Sequence, residues 1–157
     1  GLVFNFIPDK QKVLAEMRRV LRPGGVVTFY VWDYPGGGMG FIDAFWKAAA
    51  ELDASAADLD ESARFPFCQP DGLAEIFTTA GAAETHVELI EEETRFPDFE
   101  AFWHPFTLGA GPAPGYLQSL PADRRQQLKD HLAKRLGATR EVILPANAWA
   151  VHAHWSA

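Results

Sequence analysis

The stretch that most constrains this chain is its first thirty-four residues, Gly1 to Tyr34. An apolar run, Leu2 to Ile7, is followed by Pro8-Asp9, a helical pattern over Lys10 to Leu21, an Arg22-Pro23-Gly24-Gly25 stop, and a second apolar run, Val26 to Trp32. This reads as strand, helix, strand, the crossover that two parallel neighbouring strands require. Asp9 is placed to cap the helix by accepting from a free backbone N–H. Val13, Leu14, Met17, Val20 and Leu21 recur at the spacing that lines one helical face. Arg18 and Arg19 come late, where cations suit the negative end of the helix dipole. Pro23 cannot continue the helix, and Gly24 or Gly25 can adopt the left-handed closing conformation. Val26 to Trp32 has Thr28 as almost its only polar residue. A strand that apolar is predicted to be covered on both faces, as in a parallel sheet flanked by helices.

Downstream, Gly36-Gly37-Gly38-Met39-Gly40 reads as a flexible loop. Phe41, Phe45, Ala48, Ala49 and Leu52 predict an amphipathic helix over 41–52. Residues 54–63 read as a surface loop or short helix, and Phe65-Pro66-Phe67 as extended. A helix follows over Pro70 to Ala80, with proline at its start and Gly81 at its stop. Glu84 to Phe96 is predicted as one strand with an acidic end, and Asp98 to Trp103 as helical. Gly109 to Gly115, with two prolines and three glycines, reads as a loop. The longest helix opens near Ser119 and Pro121, carries Leu128, Leu132 and Leu136 as its stripe, and stops at Gly137. Glu141 to Leu144 and Ala148 to Trp155 read as the last strands, with Trp149, Val151, Ala153 and Trp155 on one face.

Composition removes several classes. The 157 residues suffice for a real core, and a net charge of −7 without a basic face argues against nucleic acid as a partner. A single cysteine, Cys68, excludes an internal disulfide and favours a reducing, cytoplasmic setting. No apolar run reaches membrane-spanning length. His152 and His154 alternate along a strand, but no third ligand lies within sequence reach, so no metal site is expected.

Three segments together resemble class I S-adenosylmethionine-dependent methyltransferases of the ubiquinone/menaquinone-biosynthesis kind, type 11. They are Asn5-Phe6-Ile7-Pro8-Asp9, the helix ending Glu16-Met17-Arg18-Arg19-Val20-Leu21, and Arg22-Pro23-Gly24-Gly25. Pro70 to Gly81 looks like the family's next helix. The resemblance implies an α/β, Rossmann-like fold: a mostly parallel sheet with an antiparallel last strand and helices on both faces. It places the chain as the C-terminal part of a methyltransferase domain, residues 1–157 forming one domain with insertions at about 34–70 and 96–140. The family's glycine-rich cofactor loop has no counterpart here, so the N-terminal cofactor-binding half is expected upstream and the fragment alone is expected to be inactive.

The resemblance also implies site residues. Phe4, Asn5 and Phe6 line the cofactor edge for S-adenosylmethionine; the plainer alternative makes Phe4 a core residue and Asn5 a turn residue. Trp32 and Tyr34 at the end of the second strand, and Trp103, His104 and Phe106 in a family-like segment, wall a small apolar or aromatic acceptor. For Trp103 and Phe106 the alternative is a satellite core, and for His104 a surface position. Asp33 is the carboxylate best placed to take a proton from an acceptor hydroxyl, or else a helix cap or a turn aspartate. Methyl transfer from a sulfonium needs alignment and exclusion of water more than acid–base help, so the lack of a triad is uninformative.

The expected function is methyl transfer from S-adenosylmethionine to a small acceptor. The rival is a non-catalytic binding or dimerisation module using the same half-fold. An unprotected edge strand at Leu2 to Ile7 further predicts a homodimer, or pairing with the missing half.

Overall fold

A computed structural model of the chain describes residues 1–137 and 141–156. A 3-10 turn at Phe4–Phe6 leads into α1 (Lys10–Val20), β1 (Val26–Trp32) and α2 (Gly40–Leu52). A second 3-10 segment, Ala54–Leu59, precedes α3 (Glu61–Arg64), α4 (Pro70–Thr79), β2 (Glu84–Ile90) and β3 (Glu93–Phe96). Then come α5 (Phe99–Trp103), a 3-10 turn at His104–Leu108, α6 (Pro112–Ser119), α7 (Ala122–Leu136), β4 (Val142–Pro145) and β5 (Ala148–His154). The chain divides into two compact units. One comprises Gly1–Gly38, Phe65–Glu91 and Asn147–Ala157; the other comprises Met39–Arg64 and Glu92–Ala146. Arg140, the far bound of the second expected insertion, lies outside the described residues.

The first unit holds a three-stranded sheet in the order β1-β5-β2. β5 is antiparallel to both neighbours, with Val27 opposite Ala153, Val31 opposite Trp149, and Val87 opposite Val151. β1 and β2 therefore run the same way but never touch. The expected mostly parallel, Rossmann-like sheet is overturned: among the described residues both sheets contain antiparallel pairs only. The parallel pair was to come from Leu2 to Ile7 beside β1. That segment is not a strand. Leu2 has φ 58°, Val3 turns at φ −124° and ψ −30°, and Phe4–Phe6 closes a 3-10 turn. One backbone bond, from Leu2 N–H to the Tyr30 carbonyl at 2.7 Å, is what joins it to β1. The turn is favoured because it lays the Phe4 ring on Phe29, 4.4 Å between centroids, where a strand would keep it at the edge. With the strand goes the edge-pairing argument for a dimer at Leu2 to Ile7.

Cover on both faces is also corrected. Val27, Val31, Val151 and Ala153 share one buried cluster with Phe4, Leu14 of α1, and Leu73 and Phe77 of α4. On the other face Thr28, Tyr30, His86, Glu88 and His152 are exposed. That alternation marks a sheet packed on one side and wet on the other. α1 follows its local signals: Asp9 accepts from Lys12 N–H at 2.9 Å, and Gly24 takes φ 74° after the helix.

The second unit is mostly helical. Phe45 and Trp46 of α2, Phe102 of α5, Phe106, Leu117 of α6, and Leu128 and Leu132 of α7 form its core. β3 and β4 pair antiparallel beside them, with Thr94 opposite Leu144. Two further expectations change here. The single strand over 84–96 is two, β2 and β3, lying in different sheets. The segment read as a loop over 109–115 already contains the first turn of α6, where Pro112 occupies a position whose N–H has no helical partner to lose.

Candidate functional site

The first unit gathers six of the residues singled out from the sequence: Phe4, Asn5, Phe6, Trp32, Asp33 and Tyr34. Asn5 sits in the 3-10 turn and is 3% exposed, yet neither its Nδ2 nor its Oδ1 has a hydrogen-bond partner. Its neighbours differ sharply. Phe4 is core, stacked with Phe29 and 6.3 Å from Phe77. Phe6 is 57% exposed and meets Phe65 edge-on at 5.3 Å. So the turn presents a buried, unanswered amide beside an exposed aromatic ring. A second orphan, the indole N–H of Trp149, lies on β5 opposite Val31.

Asp33 follows β1 and is 8% exposed. Its Oδ1 accepts from Gly36 N–H at 2.9 Å, its carbonyl from Gly38 N–H at 2.8 Å, and its own N–H donates to the Asn147 carbonyl at 3.0 Å. Gly38 in turn accepts from Asn147 N–H at 2.8 Å. The glycines read as a flexible loop are thus an ordered turn built on Asp33. A side chain at Gly38 would come within 2.7 Å of Asp33 Cβ and 2.8 Å of Asn147 Cβ, so glycine is required there by space. Asp33 thus ties the glycine turn together through its Oδ1, carbonyl and N–H. Tyr34 packs on Phe65 at 5.6 Å between ring centroids, and Trp32 is half-buried at the strand end.

Nearby, Cys68 is buried and Lys10 lies over the Phe67 ring at 4.3 Å. Burial pushes the Cys68 thiol up to about 12, against a smaller opposing effect of Lys10, so the thiol stays neutral and is no nucleophile.

The remaining three residues belong to the second unit. Phe106 is fully buried, stacked at 4.3 Å on Phe41 and 4.5 Å on Phe45. Trp103 is buried and stacked with Phe99 at 6.3 Å, while His104 is exposed. Trp103 and Phe106 are both part of the second unit's buried core cluster.

His152 and His154 lie on the wet side of β5. His152 Nδ1 is 3.2 Å from Thr28 Oγ1, and His154 faces Glu84 at 3.8 Å. Among the described residues no group of three or more His, Cys, Asp or Glu is placed to hold a metal ion. Nor is any described helix long and apolar enough to cross a membrane.

What sequence reasoning missed is the state of Asn5 and Trp149. An asparagine between two phenylalanines marks an odd polar group in an apolar run, but its lack of partners is a tertiary fact. A family model described as a methyltransferase domain matches residues 1–29, which span the Asn5 turn, α1 and the first part of β1. No curated protein matches the chain. The N-terminal 29 residues thus carry a methyltransferase-domain signature, in agreement with the resemblance to class I S-adenosylmethionine-dependent methyltransferases read from the sequence.

Proposed function

We propose that this chain serves methyl transfer from S-adenosylmethionine to a small apolar or aromatic acceptor, with Asn5 and Phe6 at the cofactor edge. The matched methyltransferase-domain segment supports methyl transfer in general terms. The observation that carries the finer reading is the Asn5 amide, buried with both polar atoms unpartnered inside that segment. Leaving such a group unsatisfied costs about 1–3 kcal/mol, so it marks a place where a ligand's polar groups complete the structure.

The residues present fit the cofactor. An amide offers both a donor and an acceptor, which suits the polar parts of the cofactor. The exposed Phe6 ring offers a face for its flat or cationic parts. Phe4, in the core, holds the turn from behind. Trp32 and Tyr34, at the end of β1 that leads into the Asp33 turn, are the acceptor-side residues of this reading. Asp33 positions the glycine turn rather than moving a proton. When bound, S-adenosylmethionine supplies an activated methyl group on sulfonium; the protein's share is to align and to exclude water.

The test is a titration of the isotope-labelled chain with S-adenosylmethionine to millimolar concentration, followed by nuclear magnetic resonance. The expected result is a saturable shift of the Asn5 side-chain NH2 and of the Phe6 ring, absent in Asn5→Leu. Shifts confined to other residues, or none at all, would refute the assignment.

A further inference from the structure

A cavity of ≈ 450 Å³ opens in the second unit, between the end of α2, α6 and the first half of α7. None of the nine residues considered above lines it. Its size lies within the range of small-molecule sites, about 300–1,000 Å³. Leu52, Leu120 and Leu128 give it an apolar floor, and Asp53, Tyr116 and Arg124 stand at its polar side.

The polar groups have unused capacity of opposite sign. Asp53 Oδ1 accepts twice from Ser55, from the N–H at 3.0 Å and from the hydroxyl at 2.6 Å. Its Oδ2 faces the Tyr116 hydroxyl at 3.4 Å, beyond the usual O–H···O range. The Ser55 bonds hold the Asp53 carboxyl below the ordinary carboxylate range, with smaller help from Tyr116 and the charge of Arg124, so it is an anion at neutral pH. Burial keeps Tyr116 protonated. Arg124 donates to Gln127 Oε1 at 2.9 Å, and among the described residues no carboxylate sits within ion-pair distance of it. One wall therefore presents an anion whose Oδ2 is engaged only by the long Tyr116 bond and can accept again, another a guanidinium with further N–H groups to donate, above a leucine floor.

We infer that this cavity binds a small zwitterion with an apolar side chain, of the α-amino acid class. Its carboxylate meets the Arg124 guanidinium, its ammonium meets Asp53 Oδ2, and its side chain lies on Leu52, Leu120 and Leu128. A simple carboxylic acid would be repelled by Asp53, and a simple amine by Arg124. A zwitterion satisfies both, and each charge-assisted bond is about twice as strong as a neutral one. This inference is independent of methyl transfer.

L-Phenylalanine is the probe, with 3-phenylpropionate and phenethylamine as analogues lacking one charge each. In the full chain, labelled at leucine methyl groups, phenylalanine shifts Leu52, Leu120 and Leu128 saturably. Each analogue binds about tenfold more weakly or worse. Arg124→Met removes the advantage of phenylalanine over phenethylamine, and Asp53→Asn removes its advantage over 3-phenylpropionate. Both variants are conservative, since Arg124 is exposed and asparagine caps as well as aspartate, and the unchanged methyl spectrum verifies the fold. Either analogue binding as tightly as phenylalanine, or no leucine shift with any of the three at millimolar concentration, overturns the inference.

Discussion

Asn5→Leu should make the protein more stable while abolishing its response to S-adenosylmethionine. The amide is 3% exposed and both its polar atoms lack partners, so the folded state carries an uncompensated desolvation cost. Replacing an unsatisfied buried group by an apolar one of similar shape recovers about 1–3 kcal/mol. Leucine has the same number of side-chain heavy atoms. Its added apolar burial contributes about 1.5–3 kcal/mol. The poorer fit of its branch in a tight turn takes back about 1–3 kcal/mol. These two terms largely cancel, leaving the amide's own share. A gain of about 2 kcal/mol, divided by a urea dependence of about 2 kcal/mol per molar, raises the midpoint by about 1 M. The assay is urea unfolding of wild type and variant, read by circular dichroism and by the Trp155 indole resonance, whose N–H donates to the Ala80 carbonyl in the same unit at 2.9 Å. An unchanged or lowered midpoint in a variant with a native spectrum would show that the amide is satisfied in the folded protein. The case for Asn5 as a ligand group would then fall with it.

Three further outcomes follow from other parts of the structure. Burial raises the Glu61 carboxyl above its ordinary 4.5, against the opposing bond from Trp46 Nε1–H at 2.6 Å, so its contribution to stability is present below pH 4.5 and lost as pH rises through the raised value; melting from pH 4 to 7 should show Glu61→Gln gaining on wild type as pH increases, and a constant gap would contradict this. Phe106→Ala removes a fully buried ring stacked on Phe41 and Phe45 and should cost about 3–5 kcal/mol in urea unfolding, a loss below about 1 kcal/mol contradicting its core role. Gly38→Ala forces a methyl group against Asp33 and Asn147 and should cost about 1–3 kcal/mol, with the Gly36 and Gly38 amides losing protection from hydrogen exchange.

The parts of the fold legible in the sequence were those decided within one turn of chain. α1 is capped by Asp9 and closed at Gly24, and α7 stops at Gly137 with φ 59°, because caps and left-handed glycines act on their immediate neighbours. Leu2 to Ile7 failed for the opposite reason. An apolar run of six residues without a partner carries no information about pairing, and the ring of Phe4 found a better place on Phe29. The Pro112 and Pro114 pair misled because proline signals both a loop and a helix start, and only the continuation through Leu117 into the core separates them. Over 84–96 the alternation was right for strands, but Glu91 and Glu92 separate two strands that pair in different sheets, a choice made by β5 and β4 much later in the chain.

The site divides along the same line. Resemblance could point to Asn5 because the motif Asn5 to Asp9 is local, and it could point to Asp33 because a carboxylate at a strand end is visible in one dimension. What each of these residues does depends on what surrounds it. Asp33 has its Oδ1 engaged by Gly36 and its backbone by Gly38 and Asn147, which ties it to the turn; Asn5 has nothing on either atom, which leaves it available. The cavity in the second unit was beyond reach for a related reason: Leu52 and Leu128 read as stripe residues of separate helices, and nothing in one dimension brings Asp53 and Arg124 together. Only the packing of α2 against α7 turns two unremarkable stripes into one floor, and sets two opposite charges beside it with part of their bonding capacity still open.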